Sequence, residues 1–170
     1  MPSASFFIFA LMYKKQLTKE QALQKLRHYC GYQERCHAEV KEKLYSFSLR
    51  KQEAEESISQ LIEEGCLNEE RFAIAFASGK FRIKQWGKVK IKYELSQKKV
   101  SEYCIRKALA VIDDKDYSKT LEQLANKKWK SIKGEGINLF MKMSKTKNYL
   151  QQRGFEPVLI QQVINALKET

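Results

Sequence analysis

The sequence predicts an all-α protein of three tandem three-helix units, stacked as an elongated helical-repeat array that is able to curve. Two observations carry this prediction. The 170 residues are 43% hydrophobic and 31% charged, with seven Gly and two Pro, which is too apolar for a disordered chain and too poor in turn residues for an all-β fold. The chain also matches itself three times. When Leu44, Leu95 and Leu150 are aligned, Leu49, Val100 and Phe155 coincide five residues on, and Ala54, Ile105 and Ile160 ten residues on. Ile58, Leu109 and Ile164 follow, then Leu61, Ile112 and Leu167.

Steps of three and four place these residues on one buried helix face, and the five-residue step marks a short turn between two helices. Four residues before the anchors stand Val40, Ile91 and Thr146, of which only Thr146 breaks the apolar pattern. The anchors lie 51 and 55 residues apart. A unit of that size with one apolar face is stable only when stacked on its neighbours, which predicts the array.

Taken in order, residues 1–17 are read as a disordered N-terminal extension. The run Phe6 to Met12 is too short for a membrane span, and the basic pair Lys14 and Lys15 follows it where a secretory signal would have its charge in front. The first unit, residues 18–66, opens with a helix from about Thr18 to Tyr29 that buries Leu23 and Leu26. The second, residues 67–114, opens with Asn68 as N-cap, Glu69 and Glu70 in the first turn, and Phe72 and Phe76 in the core. The third, residues 115–170, opens with a helix from about Asp116 to Trp129 that buries Leu121 and Leu124. Its hairpin is marked by Gly154 just past one helix and Pro157 in the first turn of the next.

Thirty-two Lys and Arg against twenty Asp and Glu give a net charge of +12. The natural partner of such a chain is a polyanion or an acidic protein surface. The densest tract holds Lys80, Arg82, Lys84, Lys88, Lys90, Lys92, Lys98 and Lys99 against the single acid Glu94. On a helix starting near Gly87, Ile91 and Leu95 form the buried stripe, and Lys88, Lys92 and Lys99 line a flank. Tyr93 falls opposite that stripe and is a contact candidate, whereas Phe81 and Trp86 are read as packing residues. A second basic set, Lys127, Lys128, Lys130, Lys133, Lys142, Lys145 and Lys147, surrounds the loop Lys133 to Gly136. Residues 53–70 are the reverse, with seven Glu and no Lys or Arg.

An active site has no visible parts: the sequence holds no phosphate-cradling glycine loop, nucleophile elbow or zinc-protease helix motif. Cys30, Cys36 and His37 do not have the spacing of a zinc site. The four cysteines, with Cys66 and Cys104, read as reduced thiols. We therefore expect no enzyme activity, no cofactor, no metal and no membrane partner.

The segment Leu67-Asn68-Glu69-Glu70-Arg71-Phe72-Ala73, then Phe76, Trp86-Gly87-Lys88-Val89-Lys90-Ile91, Glu94-Leu95 and Lys98-Lys99-Val100 resembles the bacterial regulatory RecX family. The match is strongest in the second unit, and the tandem organisation extends it over about residues 18–168. Two positions depart from the family pattern: Lys88 stands where a proline is frequent, and Lys99 where a turn glycine is frequent. The resemblance implies a protein that binds RecA, lodges in the groove of the RecA filament on DNA, and limits filament growth, ATP hydrolysis and strand exchange. The reduced thiols point to the cytoplasm, and with no long heptad pattern to demand a dimer a monomer is expected. The processes it implies are homologous recombination, DNA repair and the SOS response. It implies Arg82, Lys84, Lys88, Lys92, Lys98 and Lys99 as partner contacts, to which the helix register adds Tyr93, with direct contact to single- or double-stranded DNA also open. A nonspecific DNA- or RNA-binding helical module is the alternative reading, and a structural scaffold for another protein is a third. Reversing Lys88, Lys92 and Lys99 to Glu is expected to weaken filament binding without changing the melting temperature.

Overall fold

The computed structural model describes residues 17–169, and the expectation of a disordered extension falls, up to residue 16, outside them. Among the described residues there are nine helices and no strand. They are α1 (Lys19–Tyr32), α2 (His37–Ser46), α3 (Lys51–Glu63), α4 (Glu69–Lys84), α5 (Lys88–Gln97), α6 (Glu102–Ala110), α7 (Asp114–Ser131), α8 (Leu139–Arg153) and α9 (Pro157–Lys168). They fall into two compact units that divide between Phe72 and Ala73, inside α4.

The first unit contains α1, α2 and α3. Thr18 and Gln21 close a capping box at the start of α1, each side chain accepting from the other's backbone N–H at 3.3 and 3.2 Å. Two orphan donors of the first turn are satisfied in this way. Leu23, Leu26, Val40, Leu44, Ala54 and Leu61, all 0–1% exposed, form the core. Leu67 belongs to the same core, and Leu17 packs partly buried against it.

The second unit contains the body of α4 and the helices α5 to α9. Ile91, Leu95 and Ile105 form one buried set, and Leu121, Leu150, Phe155, Ile160 and Ile164 another. Of the residues expected in the core at the start of α4, Phe72 is 5% exposed and Phe76 is half-buried. Helix α7 begins two residues earlier than the periodicity suggests. The Asp113 carboxylate caps it, accepting from the N–H groups of Lys115 and Asp116 at 2.9 Å.

The threefold self-match is realised bond by bond. The N–H of Leu49 donates to the carbonyl of Leu44 at 3.4 Å, Val100 to Leu95 at 3.2 Å, and Phe155 to Leu150 at 3.2 Å. Each pair consists of a buried anchor and the residue five positions on, so each hairpin turns by the same six-to-one closure of its helix. The residue that must adopt positive φ in this closure is Ser48 (65°), Lys99 (60°) and Gly154 (84°) in turn. Only the third hairpin places a glycine there, where left-handed backbone carries no Cβ penalty.

Candidate functional site

The segment that joins α4 to α5, Gln85-Trp86-Gly87, lies inside the densest basic tract and is held by its backbone. Three N–H groups at the start of α5 have no partner in their own helix: two are satisfied from the third hairpin and one from α7. Gly87 donates to the Arg153 carbonyl at 2.8 Å, Lys88 to the Tyr117 hydroxyl at 2.9 Å, and Val89 to the Gly154 carbonyl at 3.1 Å. The approach is so close that a Cβ on Gly87 would lie 2.1 Å from the Gly154 oxygen. A Cβ on Gly154 would lie 2.2 Å from Cβ of Lys90. Glycine at both positions is thus a condition of docking.

Tyr117, 2% exposed, is the centre of this contact. Its ring lies 5.7 Å from Phe81 and 5.2 Å from Phe155, and its hydroxyl donates to the Glu156 carboxylate at 2.6 Å. Burial, and then the neighbouring Glu156, push its ionisation well above the usual tyrosine range. The hydroxyl therefore stays protonated and can donate to Glu156 while accepting from Lys88.

The candidate contact residues separate around this centre. Arg82 and Lys84 are exposed on the last turn of α4, and the Lys84 carbonyl accepts from Nη1 of Arg153 at 2.7 Å. Lys99 is exposed on the turn after α5, and Tyr93 is 60% exposed. The Lys98 ammonium lies 5.9 Å from the Phe76 ring. Lys92 pairs with Glu102 at 2.6 Å, the Lys92 side chain remaining 52% exposed. Lys88 is the most engaged: its ammonium meets Asp114 at 2.8 Å and sits 4.9 Å from the Tyr117 ring. That ammonium holds the Asp114 carboxyl below its ordinary value. Trp86 is half-buried, with the ammonium groups of Lys80 and Lys90 at 5.0 and 4.6 Å from its ring, a packed cation–π position. Sequence periodicity did not bring Arg153 into this group, since its neighbourhood depends on a contact across 69 positions of chain.

The family model for the second three-helix domain of RecX matches residues 68–109, and that for its third three-helix domain matches residues 115–164. Together they cover more than half of the chain. It belongs to the RecX family. The Clostridium perfringens (strain 13 / Type A) regulatory protein RecX is 30% identical over 118 residues, 69% of this chain and 55% of that protein. The chain thus spans about half the length of the Clostridium relatives it matches. The RecX of Chlorobium phaeobacteroides is 28% identical, covering 81% of this chain and 87% of that protein. The RecX of Thermotoga petrophila is 27% identical, covering 91% and 89%. The crystal structure of RecX from Lactobacillus salivarius superposes with a TM-score of 0.79 at 24% identity, covering 89% of this chain and 97% of that one. This likeness shows the shared fold.

Both departures from the RecX pattern have a physical reading here. At Lys99 the backbone is left-handed, so the lysine takes a conformation that the family's glycine would adopt without strain. At Lys88 a proline would suit the first helical position but would remove the donor that meets Tyr117. The acidic stretch of the first unit is also less free than its sequence suggests. Glu56 pairs with Lys19 at 2.6 Å, Glu64 with Arg27 at 2.8 Å, and Glu55 with Lys41 at 3.6 Å. Hydrogen bonds from Arg27 and then Gln60 hold the Glu64 carboxyl down at about 2. No group of three or more potential metal ligands occurs among the described residues, and no helix there is long and apolar enough to cross a membrane.

Proposed function

We propose that this chain binds RecA and the RecA filament on DNA and limits filament growth, ATP hydrolysis and strand exchange in recombination and repair, acting as a cytoplasmic monomer. The observation that carries the reading is membership of the RecX regulatory family. The exposed cations Arg82, Lys84 and Lys99, with Lys92, Lys98 and Tyr93 beside them, support a contact to acidic protein surface or phosphate. Lys88 takes part mainly by holding the base of that surface to α7.

The test is the single-strand-dependent ATPase rate of the host RecA as this protein is added, beside a bare-DNA binding control. Inhibition at concentrations well below those that coat the DNA is expected. Inhibition only by competition for DNA would instead favour a nonspecific nucleic-acid binder, for which the basic tract alone suffices. The surface is tested by the triple variant Arg82→Glu, Lys84→Glu and Lys99→Glu. Because Lys88 and Lys92 are paired within the fold, reversing them would disturb stability as well as binding, and this triple avoids both. Its melting temperature should stay close to that of the parent, while filament affinity falls by about tenfold or more at low salt and by less at high salt. Equal affinity in the two proteins would remove this surface from the proposal.

A further inference from the structure

Helix α8 opens with three consecutive apolar side chains that the core does not take up: Leu139, Phe140 and Met141 are 53%, 75% and 37% exposed. The buried residues of this helix, Thr146 and Leu150, come later, so its first turn extends past the core. These side chains follow the exposed segment 133–136 and open a capped helix. Ile132, 6% exposed, anchors the end of α7, and the Asn138 side chain caps α8 by accepting from the Met141 N–H at 2.9 Å. Three consecutive exposed apolar side chains on a capped helix start, one of them aromatic, are an uncovered contact surface.

The surroundings state what kind of partner would cover it. Between residues 127 and 147 the charged residues are seven lysines and one acid, Glu135. Lys142 places its ammonium 5.4 Å from the ring of half-buried Trp129. Lys142 and Lys145 lie one helical turn apart behind the apolar turn, and Lys133 stands in front of it. The partner is polyanionic and offers flat apolar surface between its charges. A single nucleic-acid strand has both properties, with phosphates on its edge and unstacked base faces within reach. A lipid surface fits less well: a helix lying on a membrane needs an apolar stripe along several turns, and here the apolar set occupies one turn and then gives way to lysines.

We infer that the α7–α8 turn is a direct contact for single-stranded nucleic acid, in which Phe140 stacks on or wedges between bases while Lys133, Lys142 and Lys145 hold the flanking phosphates. This contact needs no RecA and lies in a different hairpin from the surface proposed above.

The experiment is anisotropy binding of a fluorescently labelled oligothymidine to the full chain, without RecA, over a series of salt concentrations. Phe140 is exposed, so Phe140→Ala should melt like the parent. Its affinity should fall by about fivefold or more, the loss of one stacked base, while the dependence on salt keeps its slope. Phe140→Trp should restore binding. Lys142→Gln should reduce the salt slope by about one. Unchanged oligothymidine affinity in Phe140→Ala would overturn the inference, as would the absence of binding by the parent. Separate control titrations of Phe140→Ala with phosphatidylglycerol vesicles and with RecA cover two further outcomes: a loss confined to vesicles or to RecA would overturn the inference and assign the turn to lipid or to protein. Because the assay contains no RecA, its failure leaves the proposed filament contact standing.

Discussion

Thr146 is the residue at which the threefold pattern fails, and the structure turns that failure into a stability statement. Its equivalents Val40 and Ile91 are fully buried, and Thr146 is equally buried. Its hydroxyl has no hydrogen-bond partner among the described residues. An unsatisfied buried hydroxyl costs about 1–3 kcal/mol. Thr146→Val keeps the shape and removes that cost, so urea unfolding should show a gain of about 1 kcal/mol. A loss of stability would mean that the hydroxyl has a partner after all. The turn residues Ser48 and Lys99 lead to a second prediction. Both hold left-handed backbone that costs an L residue about 1–2 kcal/mol. Ser48→Gly and Lys99→Gly should therefore each raise stability by about 0.5–1 kcal/mol, reduced from the full strain by the added freedom of glycine in the unfolded chain. Gly154, already a glycine, offers no such gain.

At the scale of elements, the start of α5 is held by two carbonyls of the third hairpin and by one side chain, that of Tyr117 on α7. Tyr117→Phe leaves the ring packing in place but removes an acceptor from the Lys88 N–H and a donor from Glu156. The expected cost is about 1–3 kcal/mol, read in thermal or chemical unfolding. Hydrogen exchange at the first turn of α5 should rise more than at α1, because the lost bond is local to that turn. Equal protection in both proteins would show that another group replaces the hydroxyl. The same junction explains what the family motif does. Trp86-Gly87-Lys88 could be read in the sequence as a helix start inside a basic ridge, and the helix does start there. That Gly87 is needed because the Gly154 carbonyl approaches it, and that Lys88 points toward Asp114, depended on contacts between residues tens of positions apart.

At the scale of the molecule, charge is the dominant property, and it is used in two ways. In the first unit it is internal: Lys19, Arg27 and Lys41 pair with Glu56, Glu64 and Glu55, on α3 and at its C-cap. The Glu64 carboxyl, ordinarily near 4.5, is lowered to about 2 in the folded protein. A group whose folded value is depressed binds its proton more readily in the unfolded chain. Its contribution is therefore complete above about 4.5 and is lost as pH falls toward 2. Glu56 is shifted in the same direction by Lys19. The melting temperature should thus decline across this acid window, and Glu64→Gln should flatten part of the decline. An unchanged pH profile in that variant would show that the Arg27 pair does not persist in solution. In the second unit the charge faces outward at Arg82, Lys84 and Lys99, which is where a salt-sensitive partner contact is proposed.

The sequence by itself determined the helices, the cap at Asn68, the triple register of Leu44, Leu95 and Leu150, and the motif that marks the family. These follow from periodicity and from side chains acting on their own turn of backbone, which are local in the chain. Only the tertiary structure decided which lysines are engaged and which face outward, why Gly87 must lack a Cβ, and that Leu139, Phe140 and Met141 are left uncovered. Those properties are set by groups that meet in space after long separations along the chain, and no local pattern encodes which of them will meet.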